Sequence, residues 1–194
     1  MTAIASQQSL ILADTSPFCR FAEQGVCGLL VDYLDTRLHL TTWVIAELDH
    51  RATQPEHKQL EELAGREPPW TVNAPVTLDD ASVKRADFLA AGWRREQERK
   101  SGVERDPRAN LGEATTVVAG LARPGACLLL DDGQPKKFAI AKGISVVTTE
   151  DIVVEMTASG DLKHRFGYLL YKRVYNSSEA QFDAAIQRVK LLMA

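Results

Sequence analysis

Four acidic side chains stand where a folded chain could use them for metal chemistry. Asp14 and Asp131 each follow directly after a short apolar run, and Glu47 and Glu113 each lie near the start of a predicted helix. In a parallel sheet the carboxyl ends of the strands meet at one edge, and α/β proteins build their sites there. We therefore expect these four carboxylates to lie close together.

Crowded carboxylates need a counter-charge. Two like charges about 4 Å apart repel by roughly 4 kcal/mol at an effective dielectric constant near 20. A divalent cation removes this repulsion, and Mg²⁺ prefers hard oxygen ligands such as carboxylates. The pattern predicts a Mg²⁺ or Mn²⁺ site.

Each of the four acids also has an explanation without chemistry. Asp14 can end its strand with an Asx-turn or a cap. Glu47 can form an ion pair with a basic residue three or four positions further along its helix. Glu113, near a helix start, would be favoured by the helix dipole alone. Asp131 can be the N-cap of the helix that follows it.

The composition is that of an ordinary globular protein. The chain has 194 residues, of which 45% are hydrophobic and 25% charged, and its formal net charge is −3. This length favours one domain, or one domain with an insertion. The charge gives no global basic field for nucleic acid, although local patches steer ligands more than totals do.

Cysteine usage and hydropathy predict a cytoplasmic protein. The three cysteines, Cys19, Cys27 and Cys127, show no Cys-x-x-Cys spacing, which favours reduced and buried thiols over disulfides or zinc ligands. No apolar stretch approaches the roughly 20 residues of a membrane span. The first residues lack the features of a signal peptide.

Hydrophobic periodicity and turn residues predict alternating strands and helices. Strands are expected at 10–13, 37–41, 127–130 and 144–147, with a further edge strand at 70–76. Three helices are expected to begin near residues 16, 29 and 42, the first with Ser16 and the third with Thr42 as N-cap. Further helices are expected over 54–64, 79–100, 111–122 and 135–142. Two more are expected to begin near residues 150 and 178. The alternation predicts an α/β fold with a central parallel sheet under helices.

The long helix 79–100 has two possible buried sides. In the first interpretation the buried side contains Val83, Phe88 and Trp93. In the second, Ala86 and Leu89 take the place of Phe88. The last helix bears an apolar stripe that can serve the core or a partner, made of Phe182, Ile186 and Val189.

Taken in order, four motifs resemble the PIN domain family, which includes the VapC-type ribonuclease toxins. They are Asp14-Thr15-Ser16 after the first strand, Val44-x-x-Glu47-Leu48, Gly112-Glu113-Ala114, and Asp131-Asp132-x-x-x-Lys136-x-x-Ala139-x-x-x-Gly143-Ile144. The match runs through a single domain, 1–194, apart from a probable helical insertion at 66–108 and a C-terminal tail and helix at 160–194.

The resemblance implies a three-layer α/β/α fold and a metal-dependent endoribonuclease that hydrolyses RNA phosphodiester bonds. It assigns the catalytic metal ligands to Asp14, Glu47, Glu113 and Asp131, and supporting roles to Thr15, Asp132 and Lys136. It also implies Mg²⁺ or Mn²⁺ as cofactor, an RNA substrate, a homodimer, and the role of toxin in a type II toxin–antitoxin pair with a small antitoxin partner.

Basic residues offer a nucleic-acid surface. Cations are frequent in 84–108, and in 163–175 they interleave with aromatic residues. Cations among aromatic rings suit single-stranded RNA, because bases stack on the rings while phosphates pair with the charges. The alternative for both segments is a solvated helix face.

Two other functions fit parts of the pattern. A PIN-like protein without catalytic activity could act as an RNA-binding or adaptor subunit. A phosphate-handling enzyme or phospho-receiver could use Asp14 as a nucleophile. Ser16 stands where haloacid-dehalogenase-like phosphatases need a second aspartate, so this last option is the weakest.

Overall fold

A sheet of four short parallel strands forms the centre of the computed structural model. The structure describes residues 5–54, 58–66, 70–131, 133–175 and 177–193. Within them the strands are β1 (Ile11–Ala13), β2 (Leu38–His39), β3 (Cys127–Leu129) and β4 (Ser145–Val147). They lie in the order β2-β1-β3-β4. Thus β1 and β3 are central, and their carboxyl ends lie side by side.

The two central strands are apolar because both of their faces are covered. Every residue of β1 and β3 is fully buried, as expected for a parallel sheet between two layers of helices. Ala13 lies beside Leu129 in the register. The next residue, Asp14, donates its backbone N–H to the Leu129 carbonyl over 3.2 Å. Asp14 therefore stands where the pairing of the central strands ends.

Ten α-helices surround the sheet in the described residues. They are α1 (Thr15–Ala22), α2 (Cys27–Leu34), α3 (Thr42–Ala52), α4 (Lys58–Ala64), α5 (Asp80–Ser101), α6 (Leu111–Leu121), α7 (Gly133–Ala141), α8 (Thr149–Ser159), α9 (His164–Tyr175) and α10 (Glu179–Met193). None of these helices is both long and apolar enough to cross a membrane.

Alternating side chains of the strands enter two separate cores. Ile11 and Leu129 join a cluster formed with α1 to α4 and α8 to α10. Leu12 and Leu128 join a second cluster on the opposite face, formed with α5, α6 and α7. The prediction of an α/β fold with a central parallel sheet and three layers is confirmed.

The predicted strands are present at shorter bounds, except for the edge strand at 70–76, which is wrong. In that stretch only Val76 pairs with the sheet, through a single bridge to Thr41. Trp70 has a left-handed backbone with φ of 62°, which is incompatible with a continuous strand. Pro75 has no N–H to donate.

Several helix boundaries differ from the prediction because other side chains make the caps. The N-cap of α1 is Asp14, and not Ser16, because the Asp14 carboxylate accepts the Ser16 N–H. Thr41, and not Thr42, caps α3. The predicted helix 54–64 is described as α4, with 55–57 outside the described residues. The helix α9 (His164–Tyr175) agrees with the helix face that was the alternative interpretation of 163–175, although no bounds were predicted for it.

Small side chains decide which side of α5 is buried. Ala86, Ala90 and Trp93 face the core, whereas Phe88 is 73% exposed. The ring of Trp93 packs edge-on against Phe138 of α7, with centroids 5.9 Å apart. The prediction of a buried Phe88 is therefore wrong, and the alternative with Ala86 inward is confirmed.

All three cysteines are buried and free, as predicted. Burial raises the pKa of each thiol, to about 11 for Cys19 and about 12 for Cys127, and above that for Cys27. These thiols stay protonated at neutral pH and act as small apolar residues.

An aromatic cluster around Phe182 joins α10 to α9. The Phe182 ring is fully buried, 4.9 Å from the Tyr171 ring and 6.1 Å from the Tyr168 ring, centroid to centroid. Ile186 is also buried, and Val189 packs against the same core. The apolar stripe of the last helix is therefore used in core packing.

Replacing Phe182 with Ala should lower the free energy of unfolding by about 3–5 kcal/mol, because the change leaves a cavity in a closed core. Replacing the exposed Phe88 with Ala should change it by no more than about 0.5 kcal/mol. Urea unfolding of the two variants measures both values. A similar loss for both would contradict the burial described above.

Candidate functional site

The carboxyl edge of the central strands holds two carboxylates, Asp14 and Glu47, called here the acidic pair. Asp14 follows β1, and Glu47 lies in the second turn of α3. The Thr15 hydroxyl donates a 3.0 Å hydrogen bond to Glu47 Oε2. A Cβ atom on Gly112 would lie 2.8 Å from Glu47 Oε2 and 2.9 Å from Asp14 Oδ1. Both oxygens therefore border the same small volume at the start of α6.

The two oxygens of Asp14 have different surroundings. Oδ2 accepts hydrogen bonds from the Ser16 backbone N–H at 3.4 Å and from the Ser16 hydroxyl at 3.1 Å. Oδ1 is buried and has no hydrogen-bond partner among the described residues. Burial, with the nearby Glu47 charge as second cause, raises the pKa of Asp14 to about 6. Asp14 is thus both the predicted cap and an acceptor with an unused oxygen.

Glu47 is held from two sides. Its Oε1 accepts hydrogen bonds from Arg51 Nε at 3.1 Å and from Nη2 at 2.9 Å. Its Oε2 accepts the Thr15 hydroxyl. The ion pair one helical turn away, predicted as the alternative for Glu47, is present. It leaves Oε2 directed towards Asp14.

The start of α6 packs directly onto the acidic pair, and Gly112 allows this approach because it has no side chain. Threonine hydroxyls hold α6 in place. Thr115 Oγ1 lies 3.0 Å from Thr41 Oγ1 at the start of α3. Thr116 donates a 3.4 Å hydrogen bond to the Ala13 carbonyl at the end of β1. The three elements that position the acidic pair are therefore tied to one another.

Asp131 forms a separate contact at the same edge of the sheet. Its Oδ1 accepts the Thr149 backbone N–H at 2.8 Å, and its Oδ2 accepts the Thr149 hydroxyl at 2.6 Å. Arg20 Nη1 lies 3.1 Å from Oδ2, and the Asp131 side chain is 3% exposed. Asp131 thus joins α1 to the N-terminus of α8, where a negative charge is favourable. The alternative prediction for Asp131 was an N-cap at the start of the following helix, α7.

The other predicted residues are less closely tied to the acidic pair. Glu113 is half-buried in the first turn of α6, next to Gly112. Burial raises the pKa of Asp151, and the charge of Lys136 partly opposes this shift, so Lys136 lies near Asp151. Asp132 lies outside the described residues. Among the residues described, no group of three or more His, Cys, Asp or Glu side chains is arranged to hold a metal ion.

Two partners of Asp131 were not expected from the sequence. Thr149 follows β4 by two positions, and a hydroxyl just after a strand was a usable signal. Arg20 lies on α1, and nothing in its spacing connects it with Asp131, which is more than a hundred residues away.

The donor set of the acidic pair fits Mg²⁺ or Mn²⁺. Mg²⁺ in proteins is usually bound by one or two carboxylates and keeps several waters. Asp14 Oδ1 and Glu47 Oε2 supply two hard oxygens beside one volume, and the first of them has no other partner. Asp131, with both oxygens already in hydrogen bonds, adds no ligand in this arrangement.

No protein family, curated protein or solved structure matches this chain.

Replacing Gly112 with Ala should lower the free energy of unfolding by about 1–3 kcal/mol, because the added methyl group meets two carboxylate oxygens that are held in place. Gly92 is a matched helical control, since a Cβ there has no neighbour within 4 Å. Gly92→Ala should raise stability by up to about 1 kcal/mol. Urea unfolding measures the change in unfolding free energy for both variants. Equal changes would exclude the close approach of α6 to the carboxylates as the cause.

The raised pKa of Asp14 makes a pH-dependent contribution to stability. The folded protein keeps a proton on Asp14 up to about pH 6, whereas the unfolded chain releases it near 3.8. The contribution of Asp14 to stability therefore falls as the pH rises between these values, and it stays reduced above them.

Asp14→Asn should remove this dependence and raise stability at pH 8, in chelator, by up to about 3 kcal/mol. The difference in unfolding free energy between variant and wild type, measured from pH 4 to pH 8, isolates this group. A difference that does not change over this range would contradict the burial-raised pKa.

Proposed function

We propose that this protein is a Mg²⁺- or Mn²⁺-dependent endoribonuclease that hydrolyses RNA phosphodiester bonds, the activity implied by its resemblance to the PIN family. The observation that carries the proposal is the unsatisfied Asp14 Oδ1 beside Glu47 Oε2. A buried carboxylate oxygen without a donor is costly in a folded protein. A cation bound at this oxygen would offset that cost, which explains why the protein has an unsatisfied carboxylate oxygen here.

In this proposal Asp14 and Glu47 hold the ion. When bound, Mg²⁺ or Mn²⁺ neutralises charge on the scissile phosphate and makes water a better nucleophile. Thr15 and Arg51 orient Glu47 through their hydrogen bonds, so that its Oε2 faces the site. Asp14 Oδ1 is the atom placed to hold a cation or to accept a proton, and a pKa near 6 suits proton transfer close to neutral pH.

The same proposal covers the biological setting implied by the resemblance. The protein is the toxin of a type II toxin–antitoxin pair, acts on RNA in the cytoplasm as a homodimer, and is bound by a small antitoxin protein. Three free, buried thiols fit a reducing compartment. Glu113 and Asp131 complete the ligand set if their side chains turn towards the acidic pair when the ion binds.

One observation favours the second candidate, a PIN-like RNA-binding or adaptor protein without catalytic activity. The Asp131 carboxylate is occupied by Thr149 and Arg20, and the Arg20 guanidinium supplies its positive charge. A chain that uses this acid as a structural contact keeps only the acidic pair and Glu113 of the four predicted ligands. Direct measurement of cleavage separates the two candidates.

Purified protein should cleave a mixed single-stranded RNA pool with Mg²⁺ or Mn²⁺ and lose this activity in chelator. Asp14→Asn and Glu47→Gln should each reduce cleavage by at least about 100-fold, since even residues that support metal ligands are worth 10–100-fold. Glu61→Gln, an exposed position on α4, is the control and should cleave like wild type.

Metal binding is measured in the same set of proteins. Mn²⁺ should raise the melting temperature of wild type and of Glu61→Gln but not of Asp14→Asn, because an ion that binds only the folded state stabilises it. Stabilisation by Mn²⁺ without any cleavage would favour the silent alternative. Cleavage that survives chelator or Asp14→Asn would overturn the assignment of the acidic pair.

A further inference from the structure

The outward face of α5 carries positive charges around one exposed aromatic ring. The inward face of this helix packs on α6 and α7 through Ala86, Ala90 and Trp93. At 3.6 residues per turn, Lys84, Phe88 and Arg95 lie within roughly 40° of one another on the opposite side. Phe88 is 73% exposed. We call Lys84, Arg85, Phe88 and Arg95 the Phe88 face.

The cations of the Phe88 face are available to a ligand. In the described part of the chain, none of Lys84, Arg85 and Arg95 forms an ion pair, although two exposed acids, Asp80 and Asp87, flank them. The acids in the second half of α5 are already used by other groups.

Those acids pair with cations other than Lys84, Arg85 and Arg95. Glu96 Oε1 lies 2.9 Å from Arg99 Nη2 and 3.0 Å from Lys100 Nζ. Glu98 pairs with Arg94 at 3.8 Å and accepts the Arg105 backbone N–H at 3.0 Å. The Phe88 face is therefore locally positive, although the whole chain has a formal charge of −3.

The opposite, inward side of the same helix is bonded to the start of α6, next to the acidic pair. Gln97 of α5 and Asn110 exchange two side-chain hydrogen bonds of 3.3 Å. Asn110 is the N-cap of α6, two residues before Gly112 and its contacts with both carboxylates. A 22-residue helix is about 33 Å long, so α5 extends from the acidic site along one side of the molecule.

We infer that the Phe88 face binds single-stranded RNA on the side of α5 that faces away from α6. Phe88 stacks on a base, and Lys84, Arg85 and Arg95 contact phosphates. A paired helix keeps its bases stacked inside, so an exposed ring selects unpaired RNA. A protein partner would need apolar neighbours around Phe88, and this face offers cations instead. The inference rests on the proposed function only in naming RNA as the ligand.

The test measures binding of a fluorescently labelled 12-nucleotide oligouridylate by anisotropy, in chelator, so that cleavage plays no part. Phe88→Ala should weaken binding roughly 10-fold, the effect expected for one lost base stack. The double variant Lys84→Gln/Arg95→Gln should weaken binding and reduce the slope of log K against log salt by about 1.4, or 0.7 for each phosphate contact.

Two controls match these changes. Leu191→Ala removes another exposed apolar side chain, 80% exposed on α10, and Lys137→Gln removes an exposed cation of α7. Both should bind the oligonucleotide as wild type does. Duplex RNA of the same length should compete poorly with the labelled strand. Circular dichroism shows that each variant is folded.

Wild-type affinity in Phe88→Ala would overturn the stacking contact, and wild-type affinity with an unchanged salt slope in the double variant would overturn the whole face. Loss of a protein partner with unchanged RNA binding would make this face a protein interface and likewise overturn the inference. If these variants bind RNA more weakly but the wild-type protein cleaves no RNA, the nuclease proposal is wrong and the RNA-binding inference is supported.

Discussion

The interaction on which the rest of the site depends is the electrostatic repulsion between two neighbouring carboxylates, Asp14 and Glu47, at the end of β1. Burial and the nearness of Glu47 disfavour the charged form of Asp14. Neighbouring side chains stabilise the two carboxylates only on the outer sides of the acidic pair. Ser16 satisfies one oxygen of Asp14, and Arg51 neutralises Glu47. Asp14 Oδ1 has no hydrogen-bond partner among the described residues, and Glu47 Oε2 accepts only the Thr15 hydroxyl.

The surrounding elements hold the start of α6 against the acidic pair. The N-terminus of α6 closes on it through Gly112, and threonine hydroxyls connect α6 with β1 and with the start of α3. Movement of the buried Asp14 carboxylate would therefore disturb core packing, whereas the half-buried Glu47 carboxylate is held by Arg51 and Thr15. Rigid positioning of this kind is what a metal or a catalytic proton transfer requires.

Asp131 shows that a similar sequence context can serve a different purpose. Asp14 and Asp131 both follow buried central strands, yet only Asp14 keeps an oxygen without a partner. Arg20 and Thr149 use the Asp131 carboxylate to connect α1, the end of β3 and α8. The charge of this acid is balanced inside the protein, which makes it a structural contact in this arrangement.

The sequence alone determined the sheet and most of the helices, because hydrophobic periodicity and turn residues are local signals. It also identified Asp14, Thr15 and Glu47, since acids at strand ends and helix starts are visible in a single chain. It did not set the bounds of α9, whose apolar residues are mixed with cations and interrupted by Gly167.

Tertiary structure decided what depends on partners far away in the chain. Ala86 and Phe88 lie on opposite sides of α5, and the close packing of α5 against α6 places the small residue in the core. The open oxygen of Asp14 and the occupied carboxylate of Asp131 differ because of Arg20 and Thr149. Such contacts join residues that no local pattern connects, so only the folded chain brings them together.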